Sequence, residues 1–140
     1  MKIAIGCDPN AEDFKQQLIP YIAGLGHEVT DFGSEDIVYA NTAIRVGEAV
    51  AAKEYDRGIL ICGTGIGISI AANKVKGIRC GLCTSVEMAH LTKQHNNANM
   101  IALGGRTTSP ALALAIVDEW LDTDFEGGRH QRRVDMLNEM

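Results

Sequence analysis

The residues best equipped for chemistry lie in Ile59-Leu60-Ile61-Cys62-Gly63-Thr64-Gly65-Ile66-Gly67-Ile68-Ser69. An apolar strand runs into a cysteine, a glycine-rich turn follows, and a helix begins. Amides at a helix N-terminus point outward and, with the helix dipole, favour negative charge. They can hold an oxyanion or a thiolate, and a thiol so placed can act as a base or nucleophile. The segment points to chemistry on an anionic small molecule. The glycines alone decide little. The turn lacks the lysine of a Walker loop, and Ile68 breaks G-x-G-x-x-G. Cys62 in front of the turn is what marks it as functional, while Thr64 by itself reads equally well as a helix cap.

Something must hold that turn in place. Short apolar strands are expected at Lys2–Cys7, Glu28–Phe32, Gly58–Cys62, Ile78–Cys83 and Met100–Leu103. Helices are expected at Glu12–Ala23, Asn41–Glu54, Gly65–Lys74, Val86–His95 and Pro110–Leu121. Strands rich in Ile, Val and Leu that alternate with helices imply a parallel sheet covered on both faces. Right-handed crossovers reduce this to a doubly wound, three-layer α/β/α sandwich with a five-stranded sheet. Pro20 should kink the first helix or end it early. Ser109-Pro110 reads as a hydroxyl cap followed by proline in the first turn. The 140 residues are expected to form one domain. Arg129–Met140 reads as a short charged helical tail, with Val134, Met136 and Leu137 available to dock it on a partner subunit.

Ligands of open parallel sheets sit at the carboxyl ends of the strands. Cys7 and Asp8 fall there after the first strand, Cys62 to Gly67 after the third, and Gly104, Gly105 and Arg106 after the fifth. Asp8 can instead cap the first helix, and Cys7 suits the core. His95, in Gln94-His95-Asn96, can move protons near neutral pH or simply complement a helix C-terminus. Its loop precedes a strand, so reaching the active end requires an edge or a second subunit. Arg129 and Arg133 share a helical face, which suits either a solvated surface or a phosphate clamp.

Other classes recede. A net charge of −5 argues against nucleic acid as the main partner. The opening strand does not resemble a signal peptide, and no apolar run is long enough for a membrane span, so the expected location is cytoplasmic. Cys80-Gly81-Leu82-Cys83 matches C-x-x-C but falls in a strand, where residues three apart face opposite sides. His27, His90, His95 and His130 show no zinc-ligand spacing with one another or with those cysteines. No metal or nucleotide cofactor is signalled.

Ile61 to Lys74, Gln94-His95-Asn96, Gly127-Gly128-Arg129-His130-Gln131-Arg132-Arg133-Val134 and the opening Ile3 to Asp8 closely resemble the type B ribose-5-phosphate isomerases. That superfamily also includes the two subunits of galactose-6-phosphate isomerase. The resemblance spans nearly the whole chain. It implies conversion of ribose 5-phosphate to ribulose 5-phosphate through an enediolate, without a metal. It implies Cys62 as the base between C1 and C2, and His95 as proton donor in ring opening, with Asp8 and Thr64 nearby. It implies the Gly63, Gly65, Ile66 and Gly67 amides and Asn96 on the enediolate oxygens, Tyr39 against the sugar, and Arg106, Arg129 and Arg133 on the phosphate. It also implies strand order 2-1-3-5-4 and a homodimer or dimer of dimers with shared sites.

Two positions depart from the family pattern. Pro9 stands where the family usually has histidine, and Val38-Tyr39-Ala40-Asn41 keeps only the tyrosine of Asp-Tyr-Pro-His. A galactose-6-phosphate isomerase subunit, or an isomerase of another hexose 6-phosphate, is the alternative within the class. A non-catalytic sugar-phosphate-binding module is the alternative outside it.

Overall fold

A computed structural model describes residues 1–140. Five parallel strands form one sheet in the order β2-β1-β3-β5-β4. They are β1 (Lys2–Cys7), β2 (Glu28–Asp31), β3 (Arg57–Cys62), β4 (Cys80–Leu82) and β5 (Met100–Gly104). The helices are α1 (Glu12–Gly24), α2 (Tyr39–Ala51), α3 (Ile66–Ala72), α4 (Val86–Gln94), α5 (Pro110–Asp122) and α6 (Arg129–Glu139).

Strand alternation divides the core in two. Ile3, Ile5, Cys7, Ile59, Ile61, Ile101 and Leu103 face the layer holding Phe14 and Leu18 of α1 and Ile116 and Trp120 of α5. Ala4, Leu60, Cys62, Met100 and Ala102 face the layer holding Val46 and Val50 of α2 and Ile68 of α3. Each fully buried aliphatic side chain contributes roughly 1.5–3 kcal/mol. Cys62 therefore looks toward α2 and α3, whereas Cys7 is enclosed on the opposite face. Cys80 and Cys83 also lie on opposite faces, in agreement with the strand reading of their motif. Burial pushes the thiols of Cys7, Cys80 and Cys83 up to about 12, which keeps all three protonated at neutral pH.

Three local expectations needed correction. Of the two effects expected of Pro20, an early end to α1 does not occur, and the helix runs to Gly24. Pro20 is exposed, so the carbonyl that loses its partner can face water, while buried Leu18 and Ile22 hold the helix down. The helix α3 stops at Ala72, and the Asn73 side chain turns to the edge of the sheet. It accepts from Cys80 N at 2.7 Å and donates to Cys80 O at 2.9 Å. That amide satisfies part of an otherwise open edge strand. Finally, Val134 is not available to a partner. It is buried within its own chain, and Asn138 further along α6 accepts from Arg79 at 2.6 Å. Met136 and Leu137 remain exposed. The cap on α5 is as expected, with Leu112 N donating to Ser109 Oγ at 3.2 Å.

Candidate active site

The turn after β3 is shaped by two glycines. Gly65 adopts φ +79, and a Cβ there would stand 2.9 Å from the Leu103 carbonyl carbon. A Cβ on Gly67 would meet the Tyr39 hydroxyl at 2.6 Å, so the first residue of α2 lies directly over the start of α3. With the turn so drawn in, Gly65 N donates to Cys62 Sγ at 3.2 Å. Thr64 Oγ1 accepts from Ile66 N at 3.2 Å and so serves as a local cap. The amides of Gly67 and Ile68, next along α3, donate to no acceptor in the fold. They are the orphan donors that open any helix, placed here one turn from a thiol.

Cys62 is itself nearly buried. It is also one of the residues around a cavity of about 50 Å³ at this strand end, with Asp8, Asn10, Ala11, Phe14, Gly63, Gly105 and Arg106. Asp8 Oδ1 accepts from Ala11 N at 3.1 Å, capping the single 3-10 turn Pro9–Ala11. Gly105 N and Arg106 N donate to the carbonyls of Cys62 and Gly63, which ties the end of β5 to the end of β3. The Arg106 side chain lies over Gly63 and enters no ion pair. Asn10 and Phe14 were not anticipated. The only signal for them is their place just after a strand end.

The remaining expected residues lie elsewhere. Parallel pairing sets Gly58 beside Met100 and Cys62 beside Gly104. His95 precedes Met100, so it stands at the amino end of the sheet, with the length of β5 between it and Cys62. Four steps of strand rise make that roughly 13 Å. Arg129 and Arg133 join His95 at this far end through α6, because the His130 ring stacks on the His95 ring. With Arg132 they line an open groove of about 510 Å³, and none of the three forms an ion pair. Asn96 lies at the same end and lines a separate cavity of about 320 Å³ with Arg79, Thr92 and Leu137.

Folding also joins residues that their spacing kept apart. His95, Glu126 and His130 bring donor atoms within 4.8 Å of one another. A metal needs in-plane nitrogen lone pairs converging on one point at about 2.0–2.1 Å. The two rings are 11° from parallel and stacked, so their lone pairs do not converge. Burial, followed by the proximity of His95, pushes the His130 imidazole below its ordinary value.

The sequence-expected site residues thus lie in two groups, at opposite ends of the sheet. A 50 Å³ cavity is far below the roughly 300–1,000 Å³ of a small-molecule pocket. No helix is long and apolar enough to cross a membrane.

The chain has relatives among known proteins. Residues 3–137 match the family described as Ribose/Galactose Isomerase. Ribose-5-phosphate isomerase B of Escherichia coli is 48% identical over 139 residues, covering 97% of this chain and 93% of that protein. Ribose-5-P isomerase B of Listeria innocua is 44% identical over 143 residues, covering 100% and 97%. The solved ribose-5-phosphate isomerase B of Clostridium thermocellum superposes with a TM-score of 0.95 at 48% identity, covering 99% of this chain and 96% of that one.

Proposed function

The chain belongs to the ribose/galactose isomerase family and is an aldose–ketose isomerase of sugar phosphates; on that premise we propose that it interconverts ribose 5-phosphate and ribulose 5-phosphate at a site completed by a second copy of itself. The observation that carries the reading is the pairing of Cys62 Sγ with the Gly65 amide beside two unused amides. Aldose–ketose exchange requires one base, a cradle for the oxyanion and an anchor for the phosphate. The carboxyl end of the sheet offers the first two.

The furanose binds over the Cys62 cavity. His95 of the second copy donates a proton to the ring oxygen as the ring opens, with Asp8 positioned to accept the hydroxyl proton. The Cys62 thiolate removes the proton at C2, and the electron pair passes to the carbonyl oxygen. Amides of the Gly63–Gly67 turn and of Ile68, with Asn96 from the second copy, stabilise the enediolate. Cys62 returns the proton to C1 while the O2 hydroxyl proton passes to O1, so that the C2 carbonyl forms and the ketose results. Arg106 from one copy, with Arg129 and Arg133 from the other, grips the phosphate bidentately. That remote binding energy orients the reacting carbons.

Three features support a second copy as the missing half. The proton-transfer residues stand at opposite ends of one chain. Arg129, Arg132 and Arg133 at the amino end form no ion pair. Apolar side chains also crowd the rim of the Cys62 end: Ile37 is 85% exposed, Ile66 51% and Ile70 56%. Covering them with protein removes apolar surface from water.

A second reading rests on Pro9. Proline has no N–H and no polar side chain, so the first loop offers the phosphate fewer donors than a histidine would. That leaves room for another substrate of the class, such as galactose 6-phosphate. A panel of phosphorylated aldoses and ketoses, followed by NMR in deuterated water, tests both. Deuterium entering next to the carbonyl of ribulose 5-phosphate, with the highest kcat/KM for the pentose pair, supports the first reading. A hexose phosphate preferred by a wide margin replaces it with the second, and no exchange on any sugar leaves a binding module.

A further inference from the structure

The His95 ring makes no hydrogen bond within the chain, yet it is not loose. The imidazole of His130 lies flat on it, with centroids 4.3 Å apart and planes 11° from parallel. His130 is 5% exposed, and its Nε2 is buried without a hydrogen-bond partner. Glu126 Oε2 stands 3.5 Å from His130 Nε2 and 3.7 Å from His95 Nε2. The Glu126 amide donates to the Gln94 carbonyl at 2.9 Å, which ties the loop carrying this carboxylate to the residue before His95. His130 and Val134, one turn apart, form the buried face of α6, so the ring is anchored by the helix behind it.

This arrangement is costly for a merely structural tail. A buried imidazole nitrogen without a partner is unfavourable, and an aliphatic side chain would fill the space without that penalty. A second ring is useful for another reason. His95 is the residue that ends α4, where a side chain has few neighbours to limit its torsions. Proton transfer demands placement of the reacting nitrogen within about 0.5 Å and 10–20°. A flat partner limits rotation of the His95 ring about its Cβ–Cγ bond. The nearby carboxylate gives both rings one electrostatic partner, so the pair stays in register.

We propose that His130 is a positioning residue for His95: stacking fixes the plane of the proton-transferring ring, and Glu126 holds the stacked pair against the 123–128 loop. This rests on the reading of His95 as the group that opens the sugar ring. His130 itself touches no reacting atom, and its contribution passes through His95.

The test uses three variants of the full-length protein. His130→Ala removes the ring, His130→Leu fills the space without a flat face, and His130→Phe restores a flat face without the nitrogens. The expected result is a kcat about tenfold lower for His130→Ala and for His130→Leu, with KM within about twofold of the parent. His130→Phe recovers most of the loss. In NMR spectra the ring-proton resonances of His95 are displaced by the neighbouring ring, and this displacement vanishes with Ala or Leu and persists with Phe. Three results would overturn the proposal: an undiminished kcat in His130→Ala, a raised KM at constant kcat, or equal losses in Leu and Phe with the stack retained in Phe. The control is His95→Ala. Full activity there overturns the role of His95 itself, and the NMR displacement still reports whether the stack exists.

Discussion

The two ends of this sheet are built from different materials. At the carboxyl end, Cys62 is held by main chain: a strand end, a turn that only glycine can make at position 65, and amides of α3. At the amino end, the equipment is side chains: His95 on a helix terminus, His130 stacked on it, and Arg129, Arg132 and Arg133 without counter-ions. The first end draws its groups from the sheet and its turns, and the second from α4 and α6. The proposed shared site would join a main-chain-held thiol to a grip of side chains on the substrate's charge.

The largest effect should come from the carboxyl end. Cys62→Ala is expected to lower kcat by about 10²–10⁴-fold while KM changes little, because the base is lost and the grip remains. Steady-state kinetics checks this, and near-normal turnover would remove the thiolate from the mechanism. Arg133→Ala should do the reverse. Losing charge-assisted hydrogen bonds worth about 1.5–3 kcal/mol should raise KM roughly 10- to 100-fold, with Tm unchanged because the guanidinium is unpaired in the fold. Gly65→Ala joins the two categories at the carboxyl end. A side chain at φ +79 against Leu103 should destabilise the protein by about 1–3 kcal/mol and lower activity together, visible as parallel losses of Tm and kcat.

The smallest effect concerns pH at the rim of the carboxyl end. Bonds from Lys15, then Ser34 and Gln16, hold the Glu12 carboxyl down at about 2, from an ordinary 4.5. A depressed carboxyl contributes stability above its unfolded value and loses it as pH falls toward the folded one. Tm of the parent should therefore exceed that of Glu12→Gln at pH 6, and the two should converge between pH 4.5 and 2. Glu12 is half-exposed, so the gap is modest. Curves that run parallel down to pH 2 would show that the Lys15 contact carries no linkage.

Much of the carboxyl end was legible in the sequence because it depends on local chemistry. An apolar run, a cysteine and a glycine turn declare themselves within ten residues, and the strand order follows the resemblance. The amino end was not legible in the same way. His95, Glu126 and His130 meet across 35 residues, and no spacing rule links them. Their encounter depends on α6 folding back over the start of β4, a packing choice signalled only by His130 and Val134 lying one turn apart. Val134 was assigned to a partner because a charged helix gives no sign of which apolar residue its own chain will claim. Pro20 did not end α1 for a related reason: whether a lost hydrogen bond ends a helix depends on which side faces water.

The division of labour between the two ends leads to one decisive measurement. Cys62→Ala and His95→Ala, each inactive alone, are unfolded together, refolded together and assayed. If each site takes its cysteine from one copy and its histidine from another, half of randomly mixed dimers carry one intact site of two, restoring about a quarter of parental activity. If each chain works alone, the mixture remains as inactive as its parts, and the shared site is contradicted.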